Sequence, residues 1–488
     1  MKKLVTLFVV LLCAAANCMA QAVDYASLKA ALNSKSIPLI NLTVDIGKVS
    51  KPEYTSAKIE IADPEKRTDG NVVTTLNCKV KYRGASSLSY AKKSFAIKLL
   101  NEKGKSLEMP MFGIRSDDSW ILDAMAIDRL RLRNRINFDI WNDMDRTPYK
   151  TDTDGRNGTA GLFVELFING KYHGLYCFSD KVNRKLLGVK KAKEDADKNV
   201  TINGVVYKCA DWGASSKFSG YNQTGMDGLQ WNAWELDYPD DYPCAAAYMP
   251  LKDFIDYCAY TTDQKFISGM DEYFYIDNFI DYHVFLLSQG LEDNSMKNSY
   301  LSIVNVNDGH RALITPWDLD CSLGGWWQGD YNSKVASNGT VLDVKPYERL
   351  WNGNINGYRD EVANRWRELC RKGILSPEGF NERLNAYVVQ LKESGAWKRE
   401  YDMWNNNPVP LAENLSDEAL YVKVWYKRNY DNLENKIFKD LGTTGLTGVV
   451  ESNDGEAVGS TLYNIAGQKV DSNYHGIIIK NGRKYLHK

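Results

Sequence analysis

The feature that most constrains the fold of this sequence is a change of hydrophobic periodicity near residue 250. Before that point, in 36–82, apolar and polar residues alternate in short runs separated by turn residues, a pattern that predicts an antiparallel sheet. After it, in 271–291 and 358–373, apolar residues recur at helical spacing. This order predicts an α+β protein with two lobes, a β-rich N-terminal lobe and a mainly helical C-terminal lobe, with a cleft between them.

Three local patterns refine this prediction. Apolar residues recur every four positions from Leu132 to Met144, which predicts an amphipathic helix within 127–144. Asn169-Gly170 joins two β-rich runs, the pair of residues that most favours a tight hairpin turn. A second hairpin is predicted inside the helical half, at 298–316, with its turn at Asp308-Gly309.

The N-terminus resembles a secretory signal peptide. Lys2 and Lys3 precede an apolar stretch, and Ala20 precedes the expected cleavage site. No later run is apolar for the length of a membrane span. We therefore expect an exported protein with no transmembrane span in the mature chain, located in the periplasm, at the cell surface or outside the cell.

Charge and cysteine content exclude some classes. The net charge is only −1, so no overall field attracts nucleic acid, and we expect no nucleic-acid partner. The cysteines after the signal peptide are scattered singly, which argues against a zinc site or a disulfide scaffold. We divide the chain into a signal peptide (1–20), a main domain (21–440), a Gly/Thr-rich linker (441–459) and a small C-terminal β module (460–488) with three predicted strands.

Polar residues flank the second hairpin at the same end. Asp293 and Asn298 precede its first strand, and Asp318 and Asp320 follow its second. Folding the hairpin brings these residues to one cleft mouth, an arrangement like that of a protein-kinase active site, in which such residues accept a hydroxyl proton and hold Mg²⁺. Alone, the spacing is also compatible with residues that only cap turns and loops.

Longer stretches resemble the spore-coat-protein-H (CotH) kinase family, secreted or surface proteins with an atypical kinase fold. The matching segments occur in the family's order and are "YRGASSLSYAKKSFAIKL" (82–99), "DRLRLRN" (128–134), "VELFINGKYHGLYCFSDKVNR" (164–184), "EDNSMKNSYL" (292–301) and "TPWDLDCSLGG" (315–325). The resemblance implies an ATP- and Mg-dependent kinase that phosphorylates Ser or Thr hydroxyls of secreted or surface proteins. It gives Asp293 the role of catalytic residue and the segment around Asp318 and Asp320 that of metal-binding element. Asn298 is the third expected metal ligand. The sequence does not decide which of the two aspartates is the principal ligand, and Asp318 is ranked first.

The phosphate-binding side is less defined by pattern. Arg83, Lys93 and Lys208 are candidates for contacts with the nucleotide, and Lys98 is the alternative to Lys93. In a strand these two lysines face opposite sides, so only one can face the cleft. Asp180 stands where relatives often have Glu, before Lys181. The shorter side chain puts the corresponding contact in doubt.

Two other functions are weighed against the kinase. Little ATP is present outside a cell, so a catalytically inactive surface or adhesion protein with the same fold is the alternative. Aromatic residues such as Trp326-Trp327 and the Trp231/Trp234 pair would then bind protein or a surface glycan. A glycosidase using Asp318 and Asp320 is disfavoured, because residues two apart on one extended segment face the same way. The C-terminal stretch "YNIAGQKV…GIIIKNGRKYLHK" resembles sorting modules of exported Bacteroidetes-type proteins, which suggests surface retention; a structural cap on the main domain is the alternative.

Overall fold

The computed structural model of this 488-residue chain describes residues 23–144, 146, 155–221, 233–242, 245–341 and 343–442, and the segments 449–451, 462–464, 468–471, 474–480 and 483–487. The predicted signal peptide and Trp231 lie outside these residues, as does most of the predicted linker. The domain boundaries and the two-lobe arrangement remain predictions.

The first part of the chain forms a closed barrel. Its strand order is β1-β2-β3-β4-β7-β9-β8, and neighbours are antiparallel except for β1 and β8. The barrel strands are β1 Leu39–Thr43, β2 Thr55–Ala62, β3 Val73–Arg83, β4 Ser94–Leu100, β7 Ser119–Asp123, β8 Gly161–Ile168 and β9 Lys171–Asp180, with the short pair β5 Met109–Pro110 and β6 Ser116–Asp117 between them. Alternate residues such as Val80, Ile97 and Leu122 fill the barrel interior, as the two-residue periodicity predicts.

The predicted Asn169-Gly170 turn is present between β8 and β9. Both residues have positive φ, 51° and 79°, the conformation that a two-residue type I′ turn requires. The Asn169 side chain also donates a hydrogen bond to the carbonyl of Val44 and accepts one from its N–H. The turn is therefore fixed to the end of β1 as well as to its own strands.

The helices of the described residues lie mostly after residue 245. They are α1 Tyr25–Ala30, α2 Arg133–Met144, α3 Ala245–Tyr260, α4 Asp263–Ser268, α5 Met270–Tyr273, α6 Ile276–Gln289, α7 Lys345–Asn352, α8 Tyr358–Arg371, α9 Pro377–Glu393, α10 Ala396–Trp404 and α11 Leu415–Asn432. None of these helices is both long and apolar enough to cross a bilayer. The helical segment predicted at 358–373 is confirmed, and Gly373 follows it with a φ of 76°.

One helix prediction is confirmed with narrower bounds, and another needs correction. Helix α2 lies within the predicted range 127–144. It begins only at Arg133, because the Asp128 carboxylate accepts hydrogen bonds from the N–H groups of Leu130 and Arg133 and holds a turn before the helix. The segment 271–291 is not one helix. It is divided into α5 and α6 at Phe274, which forms an isolated β-bridge with Ala312.

The embedded hairpin belongs to a second sheet with the strand order β13-β12-β14-β15. Its strands are β12 Val205–Cys209, β13 Trp234–Tyr238, β14 Ser299–Ile303 and β15 Ala312–Pro316, and a separate pair is formed by β10 Lys193–Glu194 and β11 Val200–Thr201. The hairpin is confirmed, although its strands end before the predicted turn, since 304–311 form a longer loop around Gly309. Every residue of β14 and β15 is buried, so this hairpin is a rigid support for the residues at its ends.

The C-terminal part has more strands than predicted. A sheet of order β16-β20-β19-β17-β18 is formed by β16 Val449–Glu451, β17 Leu462–Asn464, β18 Lys469–Val470, β19 Gly476–Lys480 and β20 Arg483–His487. Strand β16 lies within the predicted linker and pairs in parallel with β20. The sequence pattern missed it because three residues are too few to show a period.

A buried charge cluster joins α10 to the barrel. The Glu400 carboxylate accepts hydrogen bonds from Lys92 Nζ at 2.6 Å, Arg131 Nε at 2.8 Å and the backbone N–H of Leu175 at 2.8 Å. The Lys92, Arg131 and Glu400 side chains are all fully buried. Since one carboxylate serves two cations, Glu400 holds this contact together, and its pKa is lowered despite its burial.

Candidate active site

The two ends of the β14–β15 hairpin are joined beyond the last strand pair. Ser299 pairs with Pro316, and the N–H of Trp317 donates to the carbonyl of Asn298 at 3.0 Å. The N–H of Asn298 donates in turn to the carbonyl of Cys209 on β12 at 3.1 Å. The sheet therefore brings the residues before β14 and after β15 to one edge, as the hairpin prediction requires.

Asp293 lies in a short 3₁₀ turn, Glu292–Asn294, between α6 and β14. Its carboxylate accepts a hydrogen bond from Asn298 Nδ2 at 2.8 Å, and Lys297 Nζ lies 3.4 Å from both of its oxygens. Burial raises the pKa of the Asp293 carboxyl, while Lys297, Trp212 and Asn298 favour its charged form. The result is a largely buried carboxylate held in one orientation.

Asn294, which the sequence reasoning did not single out, connects both arms of this site. Its fully buried side chain donates from Nδ2 to the carbonyls of Asn298 at 3.1 Å, Trp317 at 2.7 Å and Asp318 at 3.3 Å. Its Oδ1 atom is buried and has no hydrogen-bond partner among the described residues. The only signal in the sequence was its position next to Asp293.

Asn298 and Asp318 share an unusual backbone conformation. Both have left-handed φ values, 57° and 56°, which non-glycine residues adopt rarely and which concentrate at functional sites. Asn tolerates this conformation better than most residues, and Asp nearly as well. The side chains at both positions are thus aimed away from the directions that a continued strand would give them.

Asp318 and Asp320 have different surroundings. Asp318 is exposed, so a ligand can reach it, yet the surrounding protein desolvates its carboxyl. This desolvation raises the pKa of Asp318, the charges of Asp123 and Asp293 raise it further, and those of Arg83 and Lys208 oppose them.

For Asp320, burial also raises the pKa, well above its usual value, with Asp318, Asp123 and Asp128 adding to it. Asp318 thus interacts with Asp293 and the candidate cations, while the charges acting on Asp320 are those of other carboxylates. This difference distinguishes two aspartates that the sequence alone left equivalent.

Asp123 is a further acid at the site that the sequence reasoning missed. It ends β7, and its carboxylate accepts hydrogen bonds from Asn134 Nδ2 at 2.8 Å and from the backbone N–H of Met125 at 3.1 Å. Asn134 in turn accepts a hydrogen bond from the N–H of Leu319 at 3.0 Å. Asn134 therefore links the barrel to the Asp318–Asp320 segment, which gives a physical role to the last residue of the matched stretch "DRLRLRN".

The candidate cations differ in the contacts that they already form with other protein groups. Arg83 lies over the ring of Trp317 at 5.2 Å, next to Asp318. Lys208, on β12, forms an ion pair with Glu235, with 3.2 Å between Nζ and Oε2. Its charge also opposes the rise in the pKa of Asp318.

The preferred lysine, Lys93, donates to the carbonyls of Leu88 and Tyr90 and stabilises the turn at 86–90. Its ammonium group is therefore already engaged locally, and the phosphate-binding roles of Arg83, Lys93 and Lys208 remain predictions. The alternative, Lys98, is on β4 and pairs with Asp118 at 3.4 Å.

Asp180 does not contact these cations. It is fully buried at the end of β9, its carboxylate accepts hydrogen bonds from Arg156 and from the N–H of Ala160, and Arg115 Nε lies 3.4 Å away. Burial raises its pKa, which the arginines oppose. The shorter acid at this position therefore has its own arginine partners within the barrel wall.

The donor atoms at the hairpin ends fit a hard divalent cation. Within the described residues no three His, Cys, Asp or Glu side chains form a ready-made metal site, but Mg²⁺ commonly takes only one or two carboxylates and completes its shell with phosphates and water. The site offers the amide oxygen of Asn298 and the carboxylates of Asp318 and Asp320. Desolvation is the largest cause of the raised pKa of both aspartates, and the charges of neighbouring carboxylates raise it further; a bound cation would offset those charges.

Comparison with known families agrees with the geometry. The model of the family described as CotH kinase protein matches residues 80–433, more than half of the chain. The chain therefore belongs to the CotH kinase family, which implies a kinase-like, nucleotide-dependent phosphotransfer activity. No curated protein matches the chain.

Proposed function

We propose that this protein transfers the γ-phosphate of ATP, with Mg²⁺, to Ser or Thr hydroxyls of exported or surface proteins. The single observation that carries the proposal is the joined hairpin edge. There Asn298 is hydrogen-bonded to Asp293, and the Asn294 amide bonds to the carbonyls of Asn298 and Asp318. Catalysis of phosphoryl transfer is mostly positioning and charge stabilisation, and both depend on such rigidity.

Asp293 is the proposed catalytic residue. Its carboxylate is oriented by Asn298 and Lys297 and lies at the edge of the site, where it would accept the proton of the substrate hydroxyl. Its raised pKa strengthens it as a base relative to an exposed aspartate. The charge of Lys297 at 3.4 Å opposes that rise and favours the ionised form of the carboxylate.

The proposed metal ligands are Asn298, Asp318 and Asp320. Asp318 is the principal ligand, because it is exposed and because the charges of Asp293 and Arg83 both act on it. When bound, the ion would neutralise the phosphate charge that develops during transfer. Arg83 and Lys208 would bind phosphate oxygens of the nucleotide. Arg83 can do so with two parallel hydrogen bonds.

Calorimetric titration with ATP, with and without MgCl₂, tests the nucleotide site. We expect Mg-dependent binding that is lost in Asp318→Asn, is weakened less in Asp320→Asn, and is retained in Asp293→Asn. Phosphotransfer to a mixture of exported proteins, followed with labelled ATP, should be lost in Asp293→Asn. Absence of any nucleotide binding by the wild-type protein contradicts the proposal.

The alternative, an inactive surface protein that binds protein or glycan, draws on a pair of aromatic rings beside Lys297, of which Trp327 is exposed. Trp327 is 47% exposed and lies under Lys297 at 4.8 Å, and Trp326 lies 6.4 Å from it. Trp234, also considered for this role, is buried. Glycan or protein binding that depends on Trp327 and is unaffected by Asp318→Asn, with no ATP binding, would favour this alternative.

The location of the acceptor depends on the predicted signal peptide. Fractionation of cells that produce the full chain should place the protein outside the cytoplasm, with a mass reduced by about 20 residues. A full-length protein in the cytoplasm would contradict the exported location but leave the phosphotransfer proposal open to the tests above.

A further inference from the structure

A line of basic side chains runs along the outer face of the barrel to the candidate active site. Lys79, Lys81 and Arg83 are alternate residues of β3, on the face opposite to the buried side chains of Cys78 and Val80. Since alternate residues share one face, these three point outward together. Lys98 lies beside them, because it pairs in register with Lys79 across β3 and β4. We call Lys79, Lys81, Lys98 and Arg83 the basic stripe.

The stripe has few counter-charges. Among the described residues neither Lys79 nor Lys81 forms a salt bridge. Asp118 is paired with Lys98 at 3.4 Å, and Glu60, the acid on the outer face of β2, is paired with Lys29 at 2.8 Å. Two ammonium groups are thus free to bind an external anion, beside a third that is only partly neutralised.

Tyr54 holds these ammonium groups in place. Lys81 Nζ lies 4.8 Å and Lys79 Nζ 5.2 Å from the centre of its ring, distances at which cation–π attraction restricts a flexible lysine. Both lysines keep part of their surface accessible. The charges are therefore ordered before a partner binds, which lowers the entropy cost of binding.

The spacing and the end point of the stripe indicate what it binds. Alternate residues of a strand are about 6.6 Å apart, which is also the spacing of alternate side chains in an extended polypeptide. The stripe ends at Arg83, over the ring of Trp317 and next to Asp318. A polypeptide bound along the stripe would lead its chain directly into the site.

We propose that the basic stripe is a docking surface for an extended acidic segment of the acceptor protein, with alternate carboxylates against Lys79 and Lys81. This inference deepens the proposed function and rests on it for the identity of the partner as an acceptor. The binding itself does not require phosphotransfer, so the two can fail separately.

Fluorescence anisotropy with the full-length protein tests the docking surface without nucleotide. The probe is a labelled peptide with Glu at alternate positions, and the comparison peptide has Gln in their place. We expect the Glu peptide to bind the wild type, more weakly as salt is raised, and at least tenfold more weakly to Lys79→Glu/Lys81→Glu. This estimate combines the loss of two ion pairs, each a factor of roughly two to five, with the repulsion that replaces them.

Lys190→Glu/Lys191→Glu is the matched control, since it reverses the charge of two adjacent exposed lysines away from the stripe. It should bind the Glu peptide as the wild type does. Lys79→Gln/Lys81→Gln gives a milder second variant with an intermediate loss. Calorimetry should find Mg-ATP binding unchanged in the Lys79/Lys81 variants, which separates this inference from the nucleotide site.

Three outcomes would overturn the inference: equal peptide binding by the wild type and Lys79→Glu/Lys81→Glu, an equal loss in the Lys190/Lys191 control, or no preference for the Glu peptide over the Gln peptide. Sedimentation with phosphatidylglycerol vesicles completes the test. Binding to vesicles that needs the two lysines, without binding of the Glu peptide, would assign the stripe to a membrane surface instead.

Discussion

Asn294 provides the sharpest test of how this site is built. Its fully buried Nδ2 group has two protons and three carbonyl acceptors, on Asn298, Trp317 and Asp318, at 2.7–3.3 Å. Asn294→Ala removes these bonds and leaves buried carbonyls without this donor. At about 1 kcal/mol for each of two full hydrogen bonds, plus desolvation of the acceptors, we expect a loss of about 2–3 kcal/mol in the free energy of unfolding.

Asn294→Asp separates the hydrogen bonds from the volume of the side chain. The aspartate has nearly the same shape but places a carboxylate opposite three carbonyl oxygens. The present Oδ1 already lacks a partner among the described residues, so nothing compensates the new charge. We expect a larger loss than for the alanine variant, about 3–5 kcal/mol, as for other uncompensated buried charges.

Thermal unfolding and calorimetry measure both effects. An unfolding entropy of about 2.1 cal/mol/K per residue, over a domain of roughly 400 residues, converts 2–3 kcal/mol into a fall of about 2–4 °C in Tm. Both variants should also bind Mg-ATP at least about tenfold more weakly where they remain folded, because Asn298 and Asp318 lose their common support. An unchanged Tm and unchanged Mg-ATP affinity in Asn294→Ala would refute the reasoning.

Two further predictions concern stability alone. Glu400→Ala leaves buried Lys92 and Arg131 without their counter-charge, so we expect a loss of about 3–5 kcal/mol in calorimetric unfolding, whereas Asp402→Ala, an exposed acid on the same helix, should change stability by less than about 1 kcal/mol. His283 is fully buried, and burial lowers its pKa from 6.5 to about 4. The unfolded chain therefore binds more protons between these values, so stability due to neutral His283 is present above pH 6.5 and is lost as pH falls toward 4, by about 3 kcal/mol in total. In Tm measurements across this range, His283→Gln should be less stable than the wild type at pH 7, and the difference should narrow toward pH 4; a constant difference would contradict the assignment.

The elements predicted well are those whose pattern is local. The Asn169-Gly170 turn and the helix ending before Gly373 each have a turn or stop residue at the right place, and the structure confirms both. The errors occur where a contact between residues far apart in the sequence determines the secondary structure. Phe274 interrupts a helical pattern because it bridges to Ala312, nearly 40 residues away along the chain, and no sequence window contains both residues.

The same distinction applies to the site. Asp293, Asn298, Asp318 and Asp320 could be predicted to lie at one edge because a hairpin connects them, and hairpins have a sequence signal. Asp123 was missed because its contact with the Asp318–Asp320 segment goes through Asn134, on a different element. Lys93 was preferred from its place in the matched stretch, while its bonds to Leu88 and Tyr90 depend on a turn that the pattern does not reveal.

The two charged surfaces of this protein have opposite sign and meet at one point. Desolvation and the neighbouring acids raise the pKa of Asp318, and Arg83, which opposes that rise, is also the last residue of the basic stripe. An Mg–nucleotide complex would offset the negative charge around Asp318, and an acidic acceptor segment would offset the positive charge of the basic stripe. Because Arg83 belongs to both, nucleotide binding and acceptor docking should influence each other, and by linkage the effect must be reciprocal. Mg-ATP should change the affinity for the Glu peptide by the same factor by which the peptide changes the affinity for Mg-ATP, and Arg83→Gln should reduce that factor toward one.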